Sequence, residues 1–115
     1  RTFALSEILG TKFRALYQWR KGRDLFDLAL ALREQGADPA RIVESFERYM
    51  GAEGHSVSRA EFERNLAGKL EDLEFTEDAL PLMGPGVEYD ASRAAVLVLE
   101  RLVSRLPGDP WKGVA

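Results

Sequence analysis

Lys12 interrupts an apolar stripe. In the series Leu5, Leu9, Lys12, Leu16 the helical period calls for a hydrophobic side chain at this place, and the sequence supplies an ammonium. Two roles fit such a lysine. Its four-carbon stem can lie along the apolar face while the charge emerges at the edge, or a packed helix can aim a fixed positive charge at a bound anion. Asp24 and Asp27, three residues apart at a helix start, share one face. Two carboxylates so placed can hold Mg²⁺, accept a proton as a general base or position Lys12. They also suit a helix start for purely structural reasons, as cap and as partners of the positive end of the macrodipole. Between these groups Arg20, Lys21 and Arg23 flank Gly22. Forked donors, a point charge and a flexible backbone together suit phosphate oxygens, and the next helix start adds free N–H groups. Tyr17 and Trp19 could stack a base, although aromatics at helical spacing ordinarily belong to a core.

The charge distribution isolates this region. Lys12, Arg14, Arg20, Lys21 and Arg23 give +5 with no intervening acid, on a chain of net charge −3 whose remainder is therefore −8. A short cationic block on an acidic protein suggests a focused anion site rather than a broad nucleic-acid surface, or else a solvated helix end. With no cysteine and one histidine, His55, disulfide frameworks, thiolate zinc sites, cysteine nucleophiles, His-based metal clusters and serine-type triads drop out. His55 lies in a Gly-flanked polar loop and is expected to face solvent. No apolar run reaches the ~18 residues of a membrane span, and no secretory signal is visible, so a cytoplasmic protein without a membrane partner is expected. The chain opens on Arg1 rather than Met, which suggests a fragment.

The elements that must position these residues read as helices throughout. The pattern predicts an all-α fold, an irregular bundle of five to six helices forming one domain over residues 1–115. A first helix spans about Leu5 to Trp19 with Leu5, Ile8, Leu9, Phe13, Leu16 and Tyr17 on its apolar face, slightly weakened by Gly10. Asp24 caps a second, ending before Gly36 and forming a hairpin with the first across the Arg20–Arg23 turn. Asp38-Pro39 opens a third, ending at Gly51. Ser58 and Glu61 form a capping box for a fourth, with Phe62, Leu66, Leu70 and Leu73 turned to the core and a short turn from Thr76 to Leu82 before Pro85. Asp90 caps the last, Ala91 to Leu106, apolar almost all round and so expected centrally. The tail contains Pro107, Gly108, Asp109, Pro110 and Gly113, tied down by Trp111.

The run Lys12-Phe13-Arg14-Ala15-Leu16-Tyr17-Gln18-Trp19-Arg20-Lys21-Gly22-Arg23-Asp24-Leu25-Phe26-Asp27-Leu28 resembles the AbiEii-type nucleotidyltransferases. There a pattern K-[LF]-x-A-L-x-x-R-x-x-x-R-D-[LIF]-[YF]-D-L joins the catalytic portion to a helical C-terminal region, and this chain matches it at nearly every position. Phe62-x-x-Asn65-Leu66-x-x-Lys69-Leu70 and Tyr89-Asp90 also look like the family, so the resemblance runs over about Leu5 to Leu106. It implies a toxin of abortive-infection or toxin–antitoxin systems that moves a nucleotide from an NTP, with Mg²⁺, onto an acceptor such as tRNA. By the same resemblance Lys12 is the motif lysine on the nucleotide phosphates, Asp24 the motif aspartate nearby, and Asp27 a further catalytic candidate. Arg20, Lys21 and Arg23 remain phosphate-binding candidates.

The family's N-terminal portion, with its Gly-Ser or Gly-Gly turn and metal-binding D-x-D pair, has no counterpart here, and no D-x-D occurs. The chain then looks like the C-terminal helical part of a larger transferase. Alone it would be inactive, with no metal site and no cofactor of its own. Its partners would be its own N-terminal catalytic portion, an RNA acceptor and an antitoxin. The competing reading is a non-catalytic helical module that binds a protein or RNA through the basic hairpin; a stand-alone metal enzyme using Asp24 and Asp27 is a thinner one.

Overall fold

The computed structural model describes residues 2–80 and 89–112. These form helices α1 (Thr2–Gln18), α2 (Gly22–Glu34), α3 (Pro39–Ala52), α4 (Arg59–Leu70), α5 (Leu73–Glu77) and α6 (Ala91–Arg101), then a 3₁₀ turn, Val103–Arg105, and no strand among the described residues. The all-α bundle read from the periodicity is the observed architecture. Pro85 and Gly113, and the end of the turn anticipated from Thr76 to Leu82, lie outside the described residues.

Local chemistry accounts for the helix starts of the later elements. The Asp38 side chain accepts from Ala40 N–H at 3.0 Å with Pro39 at the first helical position. Ser58 and Glu61 cap each other's backbone N–H groups in a complete capping box. Asp72 and Asp90 cap α5 and α6 by their side chains alone, accepting from Glu74 N–H and from Ser92 and Arg93 N–H. Gly36, with φ +62°, closes α2 in the left-handed conformation that glycine adopts without strain.

The core centres on Phe13, Phe46 and Phe62 from α1, α3 and α4, all fully buried. Phe13 lies 4.6 Å from both partners between ring centroids, and Phe46 meets Phe62 edge-on at 6.0 Å. Against this cluster α2 contributes Leu25, Leu28 and Leu32, and α6 contributes Ala94, Ala95 and Val98. Gly10, expected only to weaken α1, is what lets α1 and α3 cross closely. A Cβ there would overlap the Ser45 side chain of α3.

Several expected positions shift. α1 begins at Thr2, and Ile8 is 56% exposed although the period put it on the apolar face. Leu73 does not extend the α4 stripe: Asp72 ends that helix and starts α5, leaving Leu73 68% exposed. The last helix stops at Arg101 and continues as a 3₁₀ turn. It is apolar on one side only in its burial, since Val96 faces solvent while Ala95 and Val98 are covered. His55 is exposed, as read. Trp111 is half-buried, its backbone N–H donating to Glu63 Oε1 at 2.7 Å, which ties the tail to α4.

Candidate functional site

The α1–α2 hairpin brings the three principal candidates together. Lys12 Nζ lies 2.9 Å from Asp27 Oδ2 and 3.8 Å from Asp24 Oδ1. The first is a charge-assisted hydrogen bond; the second is charge attraction without one. Lys12 and Asp27 side chains are each 35% exposed, whereas that of Asp24 is 9% exposed. The ammonium therefore has donors left over and an open side from which an anion can reach them.

The electrostatics of the pair of carboxylates differ. Burial pushes the Asp24 carboxyl above the usual carboxylate range, with Lys12 pulling it back and the Asp27 charge adding to the rise. Lys12 is raised, first by its hydrogen bond to Asp27 and then by the charges of both aspartates, against the cost of burial. The arrangement keeps the lysine cationic and gives Asp24 an unusual readiness to hold a proton. Asp24 is not the cap of α2 as the sequence suggested. The cap position is Lys21, with no side-chain bond, and Asp24 sits in the first turn facing inward.

The basic turn is less open than its composition implied. Arg20 pairs with Asp72 at 3.1 Å, Arg23 with Asp78 at 3.6 Å, and Arg14 with Glu53 at 2.7 Å. Lys21 alone of the five has no ion pair among the described residues. At the start of α2, read as a source of free N–H groups, one of them is taken within the chain: Asp78 Oδ2 accepts from Arg23 N–H at 3.1 Å. Gly22 is buried against α5, so close to the Phe75 carbonyl that no Cβ fits there. Its glycine is required by close packing, not by mobility. Trp19 is 61% exposed, out of the core that aromatic spacing suggested, at the position where the quoted pattern has arginine. Tyr17 is half-buried and packs on Phe62 at 5.2 Å.

Residue-by-residue reading of the sequence assigned no role to Asn65 and Lys69 of α4, or to Asp78. Lys69 is 3% exposed, and its ammonium donates to the Leu16 and Tyr17 carbonyls at the end of α1. Asn65 Nδ2 donates to Tyr17 O at 3.2 Å. Burial pulls Lys69 down to about 8, Arg20 adding to the fall and Asp24 opposing it. The sequence held one signal for this segment: Glu71, Asp72, Glu74, Glu77 and Asp78 carry five acids and no base, and two of them, Asp72 and Asp78, pair with the basic run.

Among the described residues no group of three or more acidic, His or Cys side chains is placed to hold a metal. Asp24 and Asp27 face an ammonium instead. The family model described as "Nucleotidyl transferase AbiEii toxin, Type IV TA system" matches residues 1–98. No curated protein and no solved structure matches the chain significantly.

Proposed function

The chain belongs to the AbiEii nucleotidyl transferase toxin family of type IV toxin–antitoxin systems, and from that premise we propose that it supplies two working groups to nucleotide transfer. Lys12 holds the phosphates of an NTP, and Asp24 acts beside it as the proton-handling carboxylate, with Asp27 fixing the lysine. The observation that carries this reading is the cluster itself, Lys12 within 2.9 Å of Asp27 and 3.8 Å of Asp24 across two packed helices.

Nucleotidyl transfer demands charge stabilisation at the phosphates and a base for the attacking hydroxyl. Lys12 meets the first demand, because its ammonium stays protonated at any physiological pH and keeps donors free after binding Asp27. Asp24 meets the second, because a carboxyl raised by burial binds a proton more readily than an exposed one. Neither meets the need for Mg²⁺. Two carboxylates already facing a lysine make no magnesium site, so the metal and much of the NTP contact belong to a catalytic portion of the parent protein outside these residues. The acceptor in this proposal is an RNA such as tRNA, and an antitoxin is the expected protein partner.

A module that binds RNA through the basic hairpin alone is less well supported, because its three arginines, Arg14, Arg20 and Arg23, are each paired with an acid of the chain. The test is transfer of radiolabelled nucleotide with Mg²⁺ to total tRNA, by the parent protein and by the 115-residue chain. Transfer by the parent and none by the chain supports the proposal. Transfer by the isolated chain refutes the division of labour.

A further inference from the structure

The two helix ends at the hairpin turn lack caps of their own. α1 has no basic residue in its last turn, and the cap position of α2 makes no side-chain bond. Both ends are served from the α4–α5 segment, with opposite charges in the sense each helix dipole requires. At the negative end of α1 the Lys69 ammonium and the Asn65 amide bind the Leu16 and Tyr17 carbonyls. At the positive end of α2 the Asp78 carboxylate binds Arg23 N–H. Asp72 holds Arg20 in the turn between them, and the Phe75 carbonyl lies against Gly22.

We infer that Lys69, Asn65 and Asp78 are positioning residues for the Lys12–Asp24–Asp27 cluster, setting how α1 and α2 are rotated and spaced at their junction. The inference rests on the proposed role of that cluster. Only Trp19, Arg20 and Lys21 separate the helices. Fixing the last turn of one and the first turn of the other therefore fixes whether a lysine two turns back meets aspartates in the opening turns of α2. Without Lys69 the Leu16 and Tyr17 carbonyls at the end of α1 would lose their donor, so the last turn of α1 is held at this place by α4. Lys69 also lies within electrostatic reach of Asp24, so the α1 splint contributes to the charge environment of the site.

The test uses Lys69→Met, which keeps the volume, and Asp78→Ala, with Asp78→Asn as the conservative variant that keeps a capping acceptor. NMR of the chain follows the Asp24 carboxyl titration and the Lys12 ammonium signal. With the fold retained, Lys69→Met should loosen the last turn of α1 and so perturb the Lys12 ammonium signal and, through the changed Lys12 distance, the Asp24 titration. Asp78→Ala should perturb the Lys12 signal and Asp78→Asn restore it. In the parent, transfer should fall about tenfold or more in the first two variants and stay near wild type in Asp78→Asn. Wild-type Lys12 and Asp24 signals in both Lys69→Met and Asp78→Ala overturn the inference. Unfolding of both variants overturns it equally, since the residues would then hold the fold and not the site. A wild-type parent without transfer removes the functional reading, and the NMR result still decides the positioning role.

Discussion

Asp24 lies 7% exposed on the inner face of α2, raised in pKa chiefly by burial, with Lys12 nearby but beyond hydrogen-bonding distance. Its folded-state pKa is above its unfolded value, so between the two the native state binds more protons than the unfolded one. Stability then falls as pH rises through that window, and the loss persists at neutral pH. Asp24→Asn is therefore predicted to raise the thermal midpoint at pH 7, with the advantage over wild type shrinking as pH is lowered and Asp24 becomes protonated. Thermal melts of both proteins across the acid range check this; an advantage that grows toward low pH contradicts it. A carboxylate kept where it costs stability is what a functional site does. Lys69 is likewise a charge that burial opposes, with the opposite pH dependence. Its folded value of about 8 lies below that of a free lysine, so its contribution makes stability rise as pH climbs from about 8 toward the unfolded value. In Lys69→Met that rise should disappear, measured by urea unfolding at pH 7 and pH 9.5. A wild-type pH slope in the variant would contradict the assignment.

Two helix contacts depend on missing side chains. At Gly22 a Cβ would collide with the Phe75 backbone carbonyl, which cannot move without lifting α5. Gly22→Ala should cost about 1–3 kcal/mol, the usual penalty of overpacking, and loosen the Arg23–Asp78 contact. At Gly10 two effects oppose one another. Alanine improves helix propensity by about 1 kcal/mol, but its Cβ overlaps the Ser45 side chain where α1 meets α3. The collision wins, so Gly10→Ala is predicted to destabilise and Gly10→Ala with Ser45→Gly to recover most of the loss. Denaturant midpoints of the single and double variants decide this, and additive effects would refute the contact. At this scale the sequence was informative at three helix starts that carry their own signal: Asp38-Pro39, Ser58 with Glu61, and Asp90 all cap as read. It was silent where the cap comes from far along the chain. Asp78 serves a helix start 55 residues away, and no local pattern encodes that partner. The Leu73 reading failed although the signal was local: Asp72 caps a new helix where apolar spacing alone continued the old one.

Across the whole molecule, segregated charge turns out to be paired charge. The basic run of α1 and its turn meets Asp72 and Asp78, which flank α5, Glu53 just after α3, and Asp27 from α2. Exposed ion pairs of this kind are individually weak, yet together they leave little net field to attract a polyanion. Binding of the chain to RNA is accordingly predicted to show a log affinity against log salt slope of about one, not the steeper slope expected from five free phosphate contacts. Titration at several salt concentrations by fluorescence anisotropy checks it. The site was legible in the sequence as residue types: Lys12 as a polar break in an apolar stripe, Asp24 and Asp27 as neighbours on one face. That they meet across the hairpin was legible only as one of three roles open to the two carboxylates, because the contacts from Lys69, Asn65 and Asp78 that hold the junction come from far along the chain. The most direct measurement is Mg²⁺-dependent nucleotide transfer by the parent protein carrying Lys12→Ala or Asp24→Ala, each shown to be folded. Loss of transfer by about 10²-fold or more in both is the predicted result, and transfer at the wild-type rate in either would contradict the role assigned to the cluster.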